Sequence, residues 1–311
     1  MAFDADGNLY VAEAGAVDPE DNSTIAPKIN HSSRVVRIDA DRHITPMLEG
    51  LPFTNYIIAG DIGATDVAIL DGNLIILTGE GYDDKLSRMV LRLTPDGSPE
   101  SIASIRAFVE FITPMDSMMG AGAGHAANPF AMIVSPDGET VYISDGAAGR
   151  ILQMTGEGGL SLWAKQPNAP PLTGLAFGAD GRLYAAMLSA LPFQAGNGAV
   201  LRADSRGGFA IVVPDLTMAV DVAFDATGTM YVLEISSGPT PAQLYAPASG
   251  RLLRIAADGT RTVILDKLNY PTSMIFSTQG DLYLSINGAF SAAGVGEIWR
   301  VPCQMVAQQK C

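Results

Sequence analysis

Carboxylates recur at matching places in this 311-residue chain, and their company is the first hint of chemistry. Asp66 and Asp221 open two similar apolar segments, DVAILDGNLIILT and DVAFDATGTMYVLE, while Thr65, Thr173, Thr272 and Asn128 stand at or beside the openings of this and sister segments. Carboxylate, amide and hydroxyl oxygens together are what calcium or another divalent cation prefers, so Asp66, Asn128 and Asp221 form a candidate metal set. The alternative is that each aspartate accepts hydrogen bonds from backbone N–H groups of its own loop. Glu13, Asp145 and Glu234 make a second column, each closing a segment, and the arginines at Arg37, Arg92, Arg202, Arg254 and Arg300 offer ion-pair partners. Glu234, beside a long loop carrying Tyr245, is the candidate general base. His125, three residues before Asn128, is the candidate catalytic imidazole, whereas His31 lies in another loop and His43 in an outer turn. Asn128, Thr173, Thr272 and Tyr245 are the candidate ligand contacts. Neither a Gly-x-Ser-x-Gly elbow, a Walker loop nor a His-Glu-x-x-His pattern occurs, so cofactor-dependent redox chemistry has no support.

These side chains are carried by a repeat. LTGLAF, the turn Ala179-Asp180-Gly181 and RLYAAM read as an apolar strand, a tight turn and an alternating strand, because Asp-Gly supplies the positive φ of a short hairpin. Six such inner hairpins can be read, beginning near residues 1, 66, 131, 174, 221 and 273. Five are followed by an outer hairpin, among them RVVRIDADRHITPML and RLLRIAADGTRTVIL; the sixth has only GEIWRV before the tail CQMVAQQKC. A period near 45 residues with four strands in each unit predicts an all-β, six-bladed β-propeller over residues 1–311, a single domain of four antiparallel strands per blade with an incomplete last blade. Either upstream sequence supplies the missing strand, or the last blade has only three strands, with Met305 to Gln309 as a candidate patch. The long connections, Ala14 to Ser33, Gly79 to Ser87, Ile105 to Ala127, Leu188 to Gly198, Ile235 to Gly250 and Asn287 to Gly296, all leave the same end of their blades, which marks that end as the working one. Within one of them IRAFVEFI reads as a short helix, followed by a stretch rich in Met and Gly, with Met115, Met118 and Met119 as gap-fillers.

Composition narrows the partners. With 19 basic against 33 acidic residues and a net charge of −14, nucleic acid and anionic membrane are disfavoured. A small molecule is the expected partner, with a protein partner as the other possibility. No run of 18 apolar residues and no charged leader followed by an apolar segment is present, so localisation stays open; a secreted or periplasmic site would follow from an upstream signal. The two cysteines, Cys303 and Cys311, are a poor zinc site and a candidate local disulfide.

The order and spacing of AFDADGNLYVAEAG, NPFAMIVSPDG, MLSALPFQAGNGAVLRAD, VDVAFDATGTMYVLEI and SGRLLRIAADGTRTVIL resemble the ScyD/ScyE family of six-bladed propellers, within the wider NHL-type and SMP-30-like group. That resemblance implies the propeller fold and a small molecule bound or transformed in a pocket over the central channel, in a biosynthetic pathway. Two alternatives accompany it. One is a lactonase-like hydrolase, in which a cation in the channel would polarise a carbonyl and activate water, with Asn128 and Asp221 near the expected Asn and Asp positions and the blade-one Glu not present. The other is an NHL-type protein-interaction module.

Overall fold

The computed structural model describes residues 1–21, 27–56, 60–81, 84–113, 127–166, 170–189, 193–204, 206–241 and 243–307. Its strands form six antiparallel sheets, the six-bladed β-propeller that the repeats predict. Blade one joins β1 (Ala2–Phe3), β2 (Leu9–Glu13), β3 (Lys28–Ile38), β4 (Ile44–Tyr56) and β5 (Gly60–Ile62). Blade two has β6 (Ala64–Leu70), β7 (Asn73–Thr78), β8 (Met89–Leu93) and β9 (Pro99–Ser104); blade three has β10 (Pro129–Val134), β11 (Thr140–Asp145), β12 (Arg150–Thr155) and β13 (Leu160–Lys165). Blade four has β14 (Leu172–Phe177), β15 (Leu183–Met187), β16 (Gly198–Ala203) and β17 (Phe209–Leu216); blade five has β18 (Ala219–Phe224), β19 (Met230–Glu234), β20 (Gly250–Ile255) and β21 (Arg261–Leu268). Blade six has three strands, β22 (Ser273–Phe276), β23 (Leu282–Ile286) and β24 (Glu297–Val301). The chain divides into two compact units, residues 1–163 with 292–294 and residues 164–291 with 295–311.

Several tight hairpins are set by an aspartate that receives the turn's own N–H groups. In blade five Asp225 accepts from Thr227 (2.9 Å) and Thr229 (3.0 Å), and the Tyr231 hydroxyl donates to its other oxygen (3.2 Å). Asp4 with Tyr10 and Asp180 with Tyr184 repeat the device in blades one and four. Across the strands from these tyrosines stand Arg37, Arg202 and Arg254. This corrects the expected pairing, because the arginine column lies at the tight-turn end, away from Glu13, Asp145 and Glu234.

Alternation of burial along the strands builds the cores. In the first unit Ile75, Leu77, Ile143 and Leu152 pack between blades two and three, and in the second Val200, Val213, Val222 and Val232 pack between blades four and five. The expected helix is α1 (Ile105–Ile112), started by Ser104, whose side chain accepts the N–H of Ala107 at 3.2 Å. Two boundaries differ from the sequence reading. The loop expected over 14–33 gives way at Lys28 to an extended β3–β4 hairpin that also recruits β5. The tail is helical at α2 (Cys303–Ala307), so among the described residues it does not pair along β24 as a strand. Proline at 302 explains the helix: it cannot donate to a sheet ladder, and its carbonyl accepts the N–H of Met305 at 2.9 Å. Cys303 is disulfide-bonded.

Candidate functional site

The inner strands of blades two and five share an irregularity, a register shift just before Asp66 and just before Asp221. Such a bulge re-aims the side chain, here onto the next blade. Asp66 accepts the N–H of Val67 (2.9 Å) on one oxygen and of Met132 in blade three (2.9 Å) on the other, and the nitrogen of Met1 also lies 2.8 Å from it. Asp221 accepts from Val222 (2.8 Å) and from Met274 in blade six (2.7 Å). All four oxygens therefore hold N–H donors, the backbone role weighed in the sequence. Each carboxylate oxygen has two lone pairs, so a cation would have to share Asp66 and Asp221 with N–H donors that already give both side chains a structural role between blades. Other blade-to-blade contacts are of the same kind. Ser33 donates to Glu13 O (2.9 Å) and accepts from Ala64 N (2.7 Å), and Thr173 Oγ1 lies 3.2 Å from the carbonyl oxygens of Ala186 and Ala219. Thr272 donates to Ser285 Oγ at 3.1 Å beneath the loop that follows β23.

At the loop end of the sheets, an acid closing the second strand faces an arginine on the third. Glu13 pairs with Arg34 (2.5 Å), Asp145 with Arg150 (2.6 Å) and Glu234 with Arg251, each directly across the strands. Glu234 is buried and accepts the Thr217 N–H at 2.6 Å on its other oxygen. A general base must lie within reach of substrate; Glu234, buried and engaged on both oxygens by Thr217 and Arg251, is placed as an ion-pair partner. Asn128 donates its backbone N–H to Asp145 at 2.9 Å and is half-buried. His125 and the three methionines lie outside the described residues. His31 is exposed, with Nε2 2.7 Å from Asp84.

Among the described residues, Asp39, Asp41 and His43 bring potential metal-ligand atoms within 4.8 Å of one another. They sit in the tight turn between β3 and β4. Asp39 already meets both the backbone N–H of His43 (2.9 Å) and its ring nitrogen (3.3 Å), contacts that hold its carboxyl below the usual carboxylate range.

A feature that sequence reasoning caught only at Tyr245 lies at the loop end of the second unit. The loops after β15, β19 and β23 each deliver one aromatic ring. Tyr245 stacks on Phe290 (centroids 4.5 Å apart, planes at 25°) and leans on Phe193 (5.3 Å), while Tyr270 meets Phe290 edge-on (5.5 Å) and donates its hydroxyl to Tyr245 O (3.1 Å). The geometries are those that ring quadrupoles favour. These loops and the β21–β22 link adopt left-handed backbone at non-glycine positions, Ser189, Ala248, Tyr270, Asn287 and Phe290, with φ of 102°, 46°, 43°, 57° and 52°. Strain of this kind persists where surrounding contacts hold it, and it clusters at sites that bind or switch. Leu-Pro-Phe at 191–193 was the one sequence signal for Phe193; Phe290, in a loop of Ala, Ser and Gly, gave none.

Burial pushes the Tyr245 hydroxyl up to about 12, and burial with the nearby Asp225 carboxylate pushes Tyr231 up to about 12 as well. A phenol whose folded value is raised contributes stability that is fully present below the unfolded value near pH 10 and lost as pH rises through the folded value. Stability should therefore fall between pH 10 and 12. Alkaline unfolding followed by circular dichroism should start at higher pH in Tyr245→Phe; an unchanged onset would contradict the desolvated hydroxyl.

No family model matches the chain, and no curated protein does either. Solved structures do. A gluconolactonase of Xanthomonas campestris superposes with TM-score 0.54 at 15% identity, over 86% of this chain and 78% of that one. Virginiamycin B lyase of Staphylococcus aureus gives 0.50 at 13% identity, over 96% and 89%, and a chain of the nidogen/laminin complex gives 0.55 at 14%, over 83% and 84%. The likeness shows the fold. A hydrolase, a lyase and a component of a protein complex share it, so function has to be argued from the site.

Proposed function

We propose that this propeller binds a small molecule with a flat ring face at the loop end of blades four to six, through Tyr245, Phe290 and Phe193. The observation that carries the reading is the convergence of three successive long loops on one stacked aromatic group. A stacked pair with its neighbours in place is a preorganised platform, and preorganisation lowers the ordering cost of binding. The hydroxyl of Tyr245 has no hydrogen-bond partner among the described residues and stays protonated across the physiological range, so it can donate to a ligand oxygen. This is the small-molecule role that the ScyD/ScyE resemblance implies.

The lactonase-like alternative has the fold likeness to a gluconolactonase behind it, and against it the structural use of Asp66 and Asp221, which already accept N–H groups of the neighbouring blades. Thermal melts separate the two. Flat-ring compounds, coumarin among them, should raise the melting temperature of the wild-type chain without calcium, because a ligand that binds only the folded state stabilises it. Silence from every flat-ring compound, together with calcium-dependent hydrolysis of glucono-1,5-lactone, would transfer the assignment to the lactonase.

A further inference from the structure

The ion pair that closes the second strand occurs in blades one, three and five, and in blade three it differs. Arg34 and Arg251 reach water, with side chains 41% and 42% exposed, whereas Arg150 is 2% exposed and its partner Asp145 1%. Arg150 Nε donates to Asp145 Oδ2 at 2.6 Å, and Asp145 Oδ1 accepts the N–H groups of Asn128 and Ala147, both at 2.9 Å. The Arg150 Nη2 is buried with no hydrogen-bond partner. A guanidinium has five donors, and leaving a buried one unmatched is costly. Asn128, held by the same carboxylate, carries a side-chain amide to which no described residue bonds.

Charge decides what would suit this place. Asp145 already neutralises Arg150, and the chain as a whole carries −14, so a second anion would be repelled and would have to shed its water. A neutral oxygen acceptor meets neither obstacle, and it still gains from a charge-assisted hydrogen bond. We infer that Arg150, oriented by Asp145 and flanked by Asn128, is a binding site at the loop end of blade three for the carbonyl oxygen of a neutral small molecule, an amide, ester or lactone. This inference is independent of the aromatic cluster, which belongs to the second unit.

Saturation-transfer difference NMR with 2-pyrrolidinone, a stable neutral cyclic amide, tests it, with acetate as the anionic counterpart. The wild-type chain should give 2-pyrrolidinone signals that saturate with concentration and that exceed those of acetate at equal concentration. The double variant Asp145→Asn/Arg150→Met, which removes both charges together, should lose them. Should circular dichroism show that variant unfolded, Asn128→Ala, at a half-buried position, is expected to weaken binding at least threefold. Acetate in place of 2-pyrrolidinone, an unchanged signal in the folded double variant, an unchanged affinity in Asn128→Ala, or no signal from the wild type would each overturn the assignment.

Discussion

Asp145→Ala is expected to destabilise the protein by about 3–5 kcal/mol, the cost of breaking a buried pair so that one charge is left alone. The partner that remains is Arg150, 2% exposed and linked to Asp145 at 2.6 Å. The same change also strands the N–H groups of Asn128 and Ala147. A loss of that size is a large fraction of the roughly 5–15 kcal/mol that holds a domain folded. Glu13→Ala offers the internal control. Its arginine is 41% exposed, and an exposed pair of this kind is worth only about 0–1 kcal/mol. Urea unfolding of the two variants measures the contrast, and equal losses would show that burial of the Arg150 pair is not what matters.

Gly174→Ala should be comparably severe for a steric reason. A Cβ at residue 174 would lie 1.9 Å from Asp221 Oδ1 and 2.6 Å from Asp221 Cα. The carboxylate cannot step aside freely, since it holds the N–H groups of Val222 and Met274. Overpacking a tight site costs about 1–3 kcal/mol, and a displaced Asp221 adds about 1–3 kcal/mol for the buried donor it leaves unsatisfied. Residues in one contact are not additive. In denaturant titrations the double variant Gly174→Ala/Asp221→Ala should therefore lose less than the two single losses combined; strict additivity would mean the clash is relieved elsewhere.

The fold was legible because its signals are local. Asp-Gly turns fix hairpin ends, alternation fixes which face is buried, and six copies of the pattern leave little choice of architecture. The three-stranded sixth blade could be counted from GEIWRV alone. The site was legible only in part. Asp66 and Asp221 look alike in sequence whether they hold an ion or the neighbouring blade, because the deciding fact is the N–H of Met132 and Met274, some fifty or more residues away. The arginine partners went astray by strand register: Arg34 and Arg37 lie on the same strand, and only cross-strand pairing with Glu13 selects Arg34. Tyr245 stood out as an aromatic in a long loop, but its stacking on Phe290 joins two loops whose sequences share no pattern.

The account rests most on the aromatic platform, and an equilibrium titration with a fluorescent flat-ring lactone, 7-hydroxycoumarin, addresses it directly. Wild type, Tyr245→Ala, Tyr245→Phe and Phe290→Ala would be titrated side by side, with Glu49→Ala on blade one as a remote control. Ring stacking is worth about 0.5–1.5 kcal/mol beyond the area it buries, so with the buried area included Tyr245→Ala should weaken binding roughly tenfold or more. Phe290→Ala should follow it, because Tyr245 loses its support. Tyr245→Phe should keep the stacking and lose only the hydroxyl contact, and so fall between Tyr245→Ala and wild type. Equal affinity in wild type, Tyr245→Ala and Phe290→Ala would contradict the proposed site.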